Sequence, residues 1–165
     1  MASLKSKYPL IIGAEQLALR TKCPVVDVIT PTIRKLGKVM AELVHEYDGV
    51  GIAAPQLDHN IRMMIATQRK IAHGEYKLKS TTIMINPEIT SHSDATARDE
   101  EWCLSLPWIF GQVERYKQIT VQYLKPDGKS ESKQLSWLDA VVVQHEIDHL
   151  DGILFIDKAV DIRYE

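Results

Sequence analysis

His145-Glu146-Ile147-Asp148-His149 sets two imidazoles four residues apart with a carboxylate between them. On a helix, four residues are roughly 40° apart in rotation and one turn along the axis, so both rings reach one metal ion. Glu146 is turned roughly 100° from His145, beside such an ion, where it is placed to take a proton from water. A helix over 137–150 carries the motif: Leu138, Val141, Val142, His145 and His149 share one stripe, read here as buried, and Ser136 with Asp139 resembles a capping box. Two imidazoles on a buried stripe need partners for their ring nitrogens, and a metal ion supplies them. His45-Glu46 begins the same way, but Gly49 occupies the second-histidine position, so it reads as a surface dipeptide.

A catalytic metal usually has three protein ligands and a water. The metzincin extension of the motif fails: Gly152 matches its glycine, yet Phe155 stands at the third-ligand position. Downstream only Asp157, Asp161 and Glu165 remain as carboxylates, so the third ligand is expected upstream. Cys103, within Glu100-Glu-Trp-Cys-Leu-Ser-Leu-Pro107, is the candidate, and its thiolate suits Fe(II) or Zn(II). Cys23 has no comparable surroundings and reads as structural. Gly49-Val-Gly-Ile-Ala-Ala-Pro-Gln56 follows a helix rather than a strand, and Pro55 would break the helix a dinucleotide fingerprint requires. It reads as a small-residue segment that brings backbone close to a ligand. It ends on Gln56, either a plain loop amide or a donor to a developing oxyanion.

The elements that must position these residues are partly legible. A helix over 30–47 starts at Thr30 with Pro31 in its first turn. It repeats Ile33, Leu36, Met40, Leu43, Val44 and Tyr47, and ends at Asp48-Gly49. Strands are expected over 61–67, 81–86, 118–124 and 132–136, the last two joined by a turn at Pro126-Asp127-Gly128. Helix, strands, helix without βαβ alternation implies an α+β fold: a largely antiparallel sheet, an N-terminal helix and a central metal-binding helix.

The 165 residues fit one domain spanning 1–165, with 45% hydrophobic and 25% charged residues. The net charge of −2 gives no reason to expect nucleic acid or an anionic membrane as partner. No apolar run is long enough to cross a bilayer. The N-terminus has neither a signal-peptide core nor an arginine-rich transit pattern. With two cysteines and no disulfide framework, a cytoplasmic protein is expected, or one of organellar origin whose transit peptide has been trimmed.

Taken together, the segments 49–56, 101–105 and 144–149 resemble the peptide deformylase family, whose members carry G-x-G-x-A-A-x-Q, E-G-C-L-S and Q-H-E-x-D-H in this order. Asn86-Pro87 and Gly152-Ile153-Leu154-Phe155 extend the likeness over most of the chain. The resemblance implies removal of the formyl group from the N-terminal formylmethionine of nascent polypeptides, releasing formate. It implies a metal held by Cys103, His145 and His149, most often Fe(II), with Zn(II), Ni(II) or Co(II) as substitutes. Glu146 would be the general base; Gln56 and the Leu104 N–H would stabilise the oxyanion; Val50, Gly51 and Trp102 would line the substrate path.

Two departures qualify this. Trp102 stands where the family has glycine, so the indole either narrows the cleft or turns into the core. It also motivates a second reading, a deformylase-like protein with lost or altered activity that binds metal or peptide. The chain stops at Glu165, where many bacterial relatives continue into a helix that helps dock on the ribosome; any ribosome contact is expected to be transient. A general metallopeptidase is a third reading, weakened by the missing downstream ligand.

Overall fold

The computed structural model describes residues 3–72 and 75–165. Two short helices, α1 (Leu4–Lys7) and α2 (Leu17–Arg20), precede the long α3 (Pro31–Glu46). Thr30 caps α3 as expected, its hydroxyl accepting from the Ile33 N–H at 3.3 Å. Leu36, Met40, Leu43 and Val44 form its buried face.

The strands are β1 (Gly51–Ala53), β2 (Met63–Ala72), β3 (Glu75–His92), β4 (Thr96–Cys103), β5 (Leu106–Tyr116), β6 (Gln118–Leu124), β7 (Ser130–Ser136) and β8 (Val160–Tyr164). They make two sheets rather than the one expected: β1-β2-β3-β6-β7 and β4-β5-β8, with every described pairing antiparallel. The chain passes from β6 to β7 where predicted, with Gly128 at φ 84°.

Both faces of the larger sheet are covered. On one face Met63, Ile65 and Ile85 pack against Met40, Leu43 and Val44 of α3. On the other, Met64, Ala66 and Met84 pack against Ala140, Val143, Ile147 and Leu150. These last belong to α4 (Leu138–Leu150). Adjacent β2 residues point to opposite faces, so a strand sandwiched between two helices must be apolar at every position. That is why Met63–Ala66 shows no polar alternation.

α4 departs from expectation at its start. Its N-cap is Trp137, at φ 56° and ψ −132°, with no side-chain cap. The Trp137 N–H donates to the Lys117 carbonyl, fixing the turn out of β7 one residue after Ser136. Ser136 is thereby the last residue of β7 and too far back to cap the helix, so the expected capping box does not form.

Candidate active site

Cys103, His145 and His149 each bring one ligand atom into a group whose members all lie within 4.8 Å of one another. Cys103 closes β4, while the two histidines come from successive turns of α4. Cys103 Sγ is 3.2 Å from His149 Nε2. His149 and Cys103 are buried, and only His145 keeps slight access to solvent.

The donors suit a metal ion: one soft sulfur and two imidazoles, the combination that binds Fe(II) and Zn(II). His149 Nδ1 and Glu146 Oε2 are buried with no hydrogen-bond partner. Such orphans cost on the order of 1–3 kcal/mol each, so a site that keeps them is built for something that engages them. Burial, reinforced by the charge of His145, holds His149 well below the usual imidazole range, in the neutral form that ligates metals.

Glu101 orients His145. Two residues before Cys103 on the same strand, it shares the inward face with the thiol. Its Oε2 lies 2.8 Å from His145 Nδ1, leaving the other ring nitrogen for a ligand. Arg115 of β5 donates from Nε to Glu101 Oε1 at 2.7 Å and from Nη2 to Oε2 at 2.9 Å. Its Nη1 donates to Asp148 Oδ2. Lys158 Nζ reaches both Asp148 oxygens, at 2.7 and 2.8 Å. Burial raises the Glu101 pKa, but Arg115 and His145 outweigh it and bring the carboxyl down to about 2. A chain of alternating charges thus runs from exposed Lys158 through buried Asp148, Arg115 and Glu101 to His145.

Gln56 also reaches the sulfur, from a short 3₁₀ turn (Ala54–Leu57) after β1. Its Oε1 accepts the Ala53 N–H at 2.9 Å, which turns the amide N–H₂ inward. The Nε2 donates to Ser105 Oγ at 3.1 Å and approaches Cys103 Sγ at 3.6 Å. Glu146 is buried against Gly51, where a Cβ would stand 2.4 Å from its Oε1. Burial raises the Glu146 carboxyl to about 7, His145 drawing it the other way.

One cleft joins these groups. Its lining includes Val50, Gly51, Gln56, Trp102, Cys103, Leu104, His145 and Glu146. The stripe read as buried is buried only in part: Val142 belongs to the core and His149 is buried, whereas Leu138 is 40% exposed. Leu138, Val141 and Val142 together form the cleft's apolar wall. Trp102 is 52% exposed in the same cleft rather than in the core.

The chain that carries this cluster matches a known family over nearly its whole length. The family described as Polypeptide deformylase matches residues 9–164. The chain belongs to the polypeptide deformylase family. A peptide deformylase of Mesorhizobium japonicum is 38% identical over 155 residues, covering 94% of this chain and 85% of that one. The crystal structure of peptide deformylase from Thermotoga maritima has a TM-score of 0.82 at 33% identity, covering 93% of this chain and 97% of that one. The Met-Ala-Ser-bound class I type b peptide deformylase of Acinetobacter baumannii has a TM-score of 0.81 at 33% identity, covering 91% and 96%. The protein is therefore an enzyme of a metal-dependent hydrolase family, with Cys103, His145 and His149 as its candidate metal site. No described helix is long and apolar enough to cross a membrane.

Sequence reasoning found the ligand candidates, Glu146 and Gln56, and missed the support behind them. Glu101 was within reach, because a residue two before a ligand on a strand shares its face. Arg115, Asp148 and Lys158 meet only through tertiary contacts, and nothing local marks them.

Proposed function

We propose that this chain, as a single catalytic domain over 1–165, hydrolyses the formyl amide of N-terminal formylmethionine on nascent peptides and releases formate through the cleft above. The observation that carries this is the convergence of Cys103, His145 and His149 beside the buried Glu146 carboxylate. Cys103, His145 and His149 of α4 and β4 would hold the ion, Fe(II) being the first choice and Zn(II), Ni(II) or Co(II) substitutes. When bound, the ion supplies Lewis acidity that makes a neighbouring water a nucleophile at neutral pH.

This chain's residues do the rest. Glu146 takes the proton of the attacking water and returns it to the leaving amine; a carboxyl raised by burial is suited to both directions. Gln56, its N–H₂ turned inward by Ala53, and the Leu104 N–H donate to the oxygen that gains charge. β1 and β4 are edge strands of their two sheets, and residues of both line the cleft. Gly51 and Trp102 therefore offer a free strand edge to an extended peptide, and Val50, whose carbonyl is held by the Thr67 N–H, lines its path. The apolar wall of Leu138, Val141 and Val142 suits a methionine side chain.

The reading with lost activity is not favoured, because the Trp102 side chain points away from the buried face that carries Cys103 and Glu101, and the catalytic groups remain assembled around them. The peptide is the proposed partner, with any ribosome contact transient, nucleic acid and membrane uninvolved, and the cytoplasm as the site of action. The test is formate release from formyl-Met-Ala-Ser by Fe(II)-loaded protein prepared anaerobically. Turnover is expected in the wild type and absent in Glu146→Ala with metal still bound; retained turnover in that variant overturns the mechanism.

A further inference from the structure

β4 alternates at the site: Glu101 and Cys103 face inward, while Trp102 between them faces out. Trp102 stands directly across from Phe110 on β5, and Phe110 directly across from Arg163 on β8. The Arg163 guanidinium lies 4.8 Å from the Phe110 ring centre and is tied to Glu100 at 2.8 Å. A row of indole, phenyl and guanidinium thus crosses the outer face of the small sheet, and its indole end is a wall of the cleft. The register breaks after Trp102, Cys103 pairing with Leu106, so neighbouring residues serve different surfaces. An indole half exposed beside a site has apolar area still to bury, and aromatic side chains so placed dominate recognition.

We propose that Trp102 is a specificity-determining residue whose indole receives the side chain of the peptide's second residue, giving a preference for aromatic side chains there. The inference rests on the deformylase reading of the cleft. A peptide extended along the free edge of β4 sends successive side chains to opposite faces. The formylmethionine side chain takes the inward face, toward Val141 and Val142; the next residue turns outward, to the face of Trp102. The third returns inward and misses the indole.

Formate release by the Fe(II)-loaded full chain is measured on formyl-Met-Ala-Ser, formyl-Met-Phe-Ser and formyl-Met-Ala-Phe. Wild type is expected to favour formyl-Met-Phe-Ser over formyl-Met-Ala-Ser by about five- to tenfold in kcat/KM, mainly through KM. Trp102→Gly brings that ratio to within about twofold of unity, and Trp102→Phe keeps most of it. Phenylalanine at position three gives no advantage that depends on Trp102. Trp102→Ser serves for the same comparison if the glycine variant does not fold. A wild-type ratio near one, or the same ratio in wild type and Trp102→Gly, overturns the proposal. Formate from none of the peptides overturns the deformylase reading as well, which separates the two failures.

Discussion

Glu101 Oε2 lies 2.8 Å from His145 Nδ1 while both Glu101 oxygens accept from Arg115, so one carboxylate ties a candidate ligand to a buried cation. Removing it has two separable effects. Glu101→Gln keeps the shape but weakens the hold on His145, and metal affinity is expected to fall about 10–100-fold. Glu101→Ala also leaves Arg115 short of a counter-charge, at a cost of about 3–5 kcal/mol. Chelator competition reads the first effect and denaturant unfolding the second; unchanged metal affinity in Glu101→Gln would show that the contact orients nothing.

The same carboxylate makes stability sensitive to acid. Its pKa falls from 4.5 in the unfolded chain to about 2 in the fold. A depressed carboxyl stabilises above its unfolded pKa and loses that contribution as pH drops through its folded value. The stability difference between wild type and Glu101→Gln should be full at pH 5 and above and decline between about 4.5 and 2. The lost contribution is roughly 3 kcal/mol. Urea unfolding across that range measures it, and a difference independent of pH refutes the linkage.

Glu146 works in the opposite direction. Burial raises its carboxyl from 4.5 to about 7, so in metal-free protein the fold favours the protonated acid. Its contribution is fully present below the unfolded pKa and is lost as pH rises through about 7. Metal-free wild type should lose stability relative to Glu146→Gln between pH 4.5 and 7. Loading with a divalent cation, whose charge favours the carboxylate, should shrink that loss. Thermal unfolding of both proteins with and without metal provides the comparison; identical pH profiles would contradict it.

Gly51 leaves no room for a side chain, since a Cβ there would lie 2.4 Å from Glu146 Oε1. Gly51→Ala must push the carboxylate aside, and misplacement of about 1 Å is enough to cost about 10²-fold in rate. Formate release should fall by about that factor while metal content stays at the wild-type level. Wild-type turnover in Gly51→Ala would mean that the carboxylate's position is not critical.

Much of the site was legible because its patterns are short. The His145 and His149 spacing works through one helical turn, and Cys103 followed from the absence of a downstream ligand. The α3 cap at Thr30 and the turn at Gly128 are equally local. The small sheet was not legible. β4 reads Thr-Ala-Arg-Asp-Glu-Glu-Trp-Cys, where charged residues at inward as well as outward positions mask the alternation, and Glu101 is tolerated inside because Arg115 and His145 hold its carboxylate. β8 is exposed at every position and carries no burial pattern to detect. Leu138 was assigned to a buried stripe because periodicity gives a face of a helix but not what lies against that face.

The sequence by itself determined which groups are available and which can share one ion, since helix geometry sets the distance between residues four apart whatever surrounds them. It also determined family membership, through ordered motifs. Only the tertiary structure decided which face of α4 meets a cleft and which meets the larger sheet. It alone linked Lys158, Asp148, Arg115 and Glu101 behind His145 and set Trp102 at the cleft wall. Those outcomes depend on pairing between segments far apart in the chain, where contacts are fixed by how two sheets and a helix pack together.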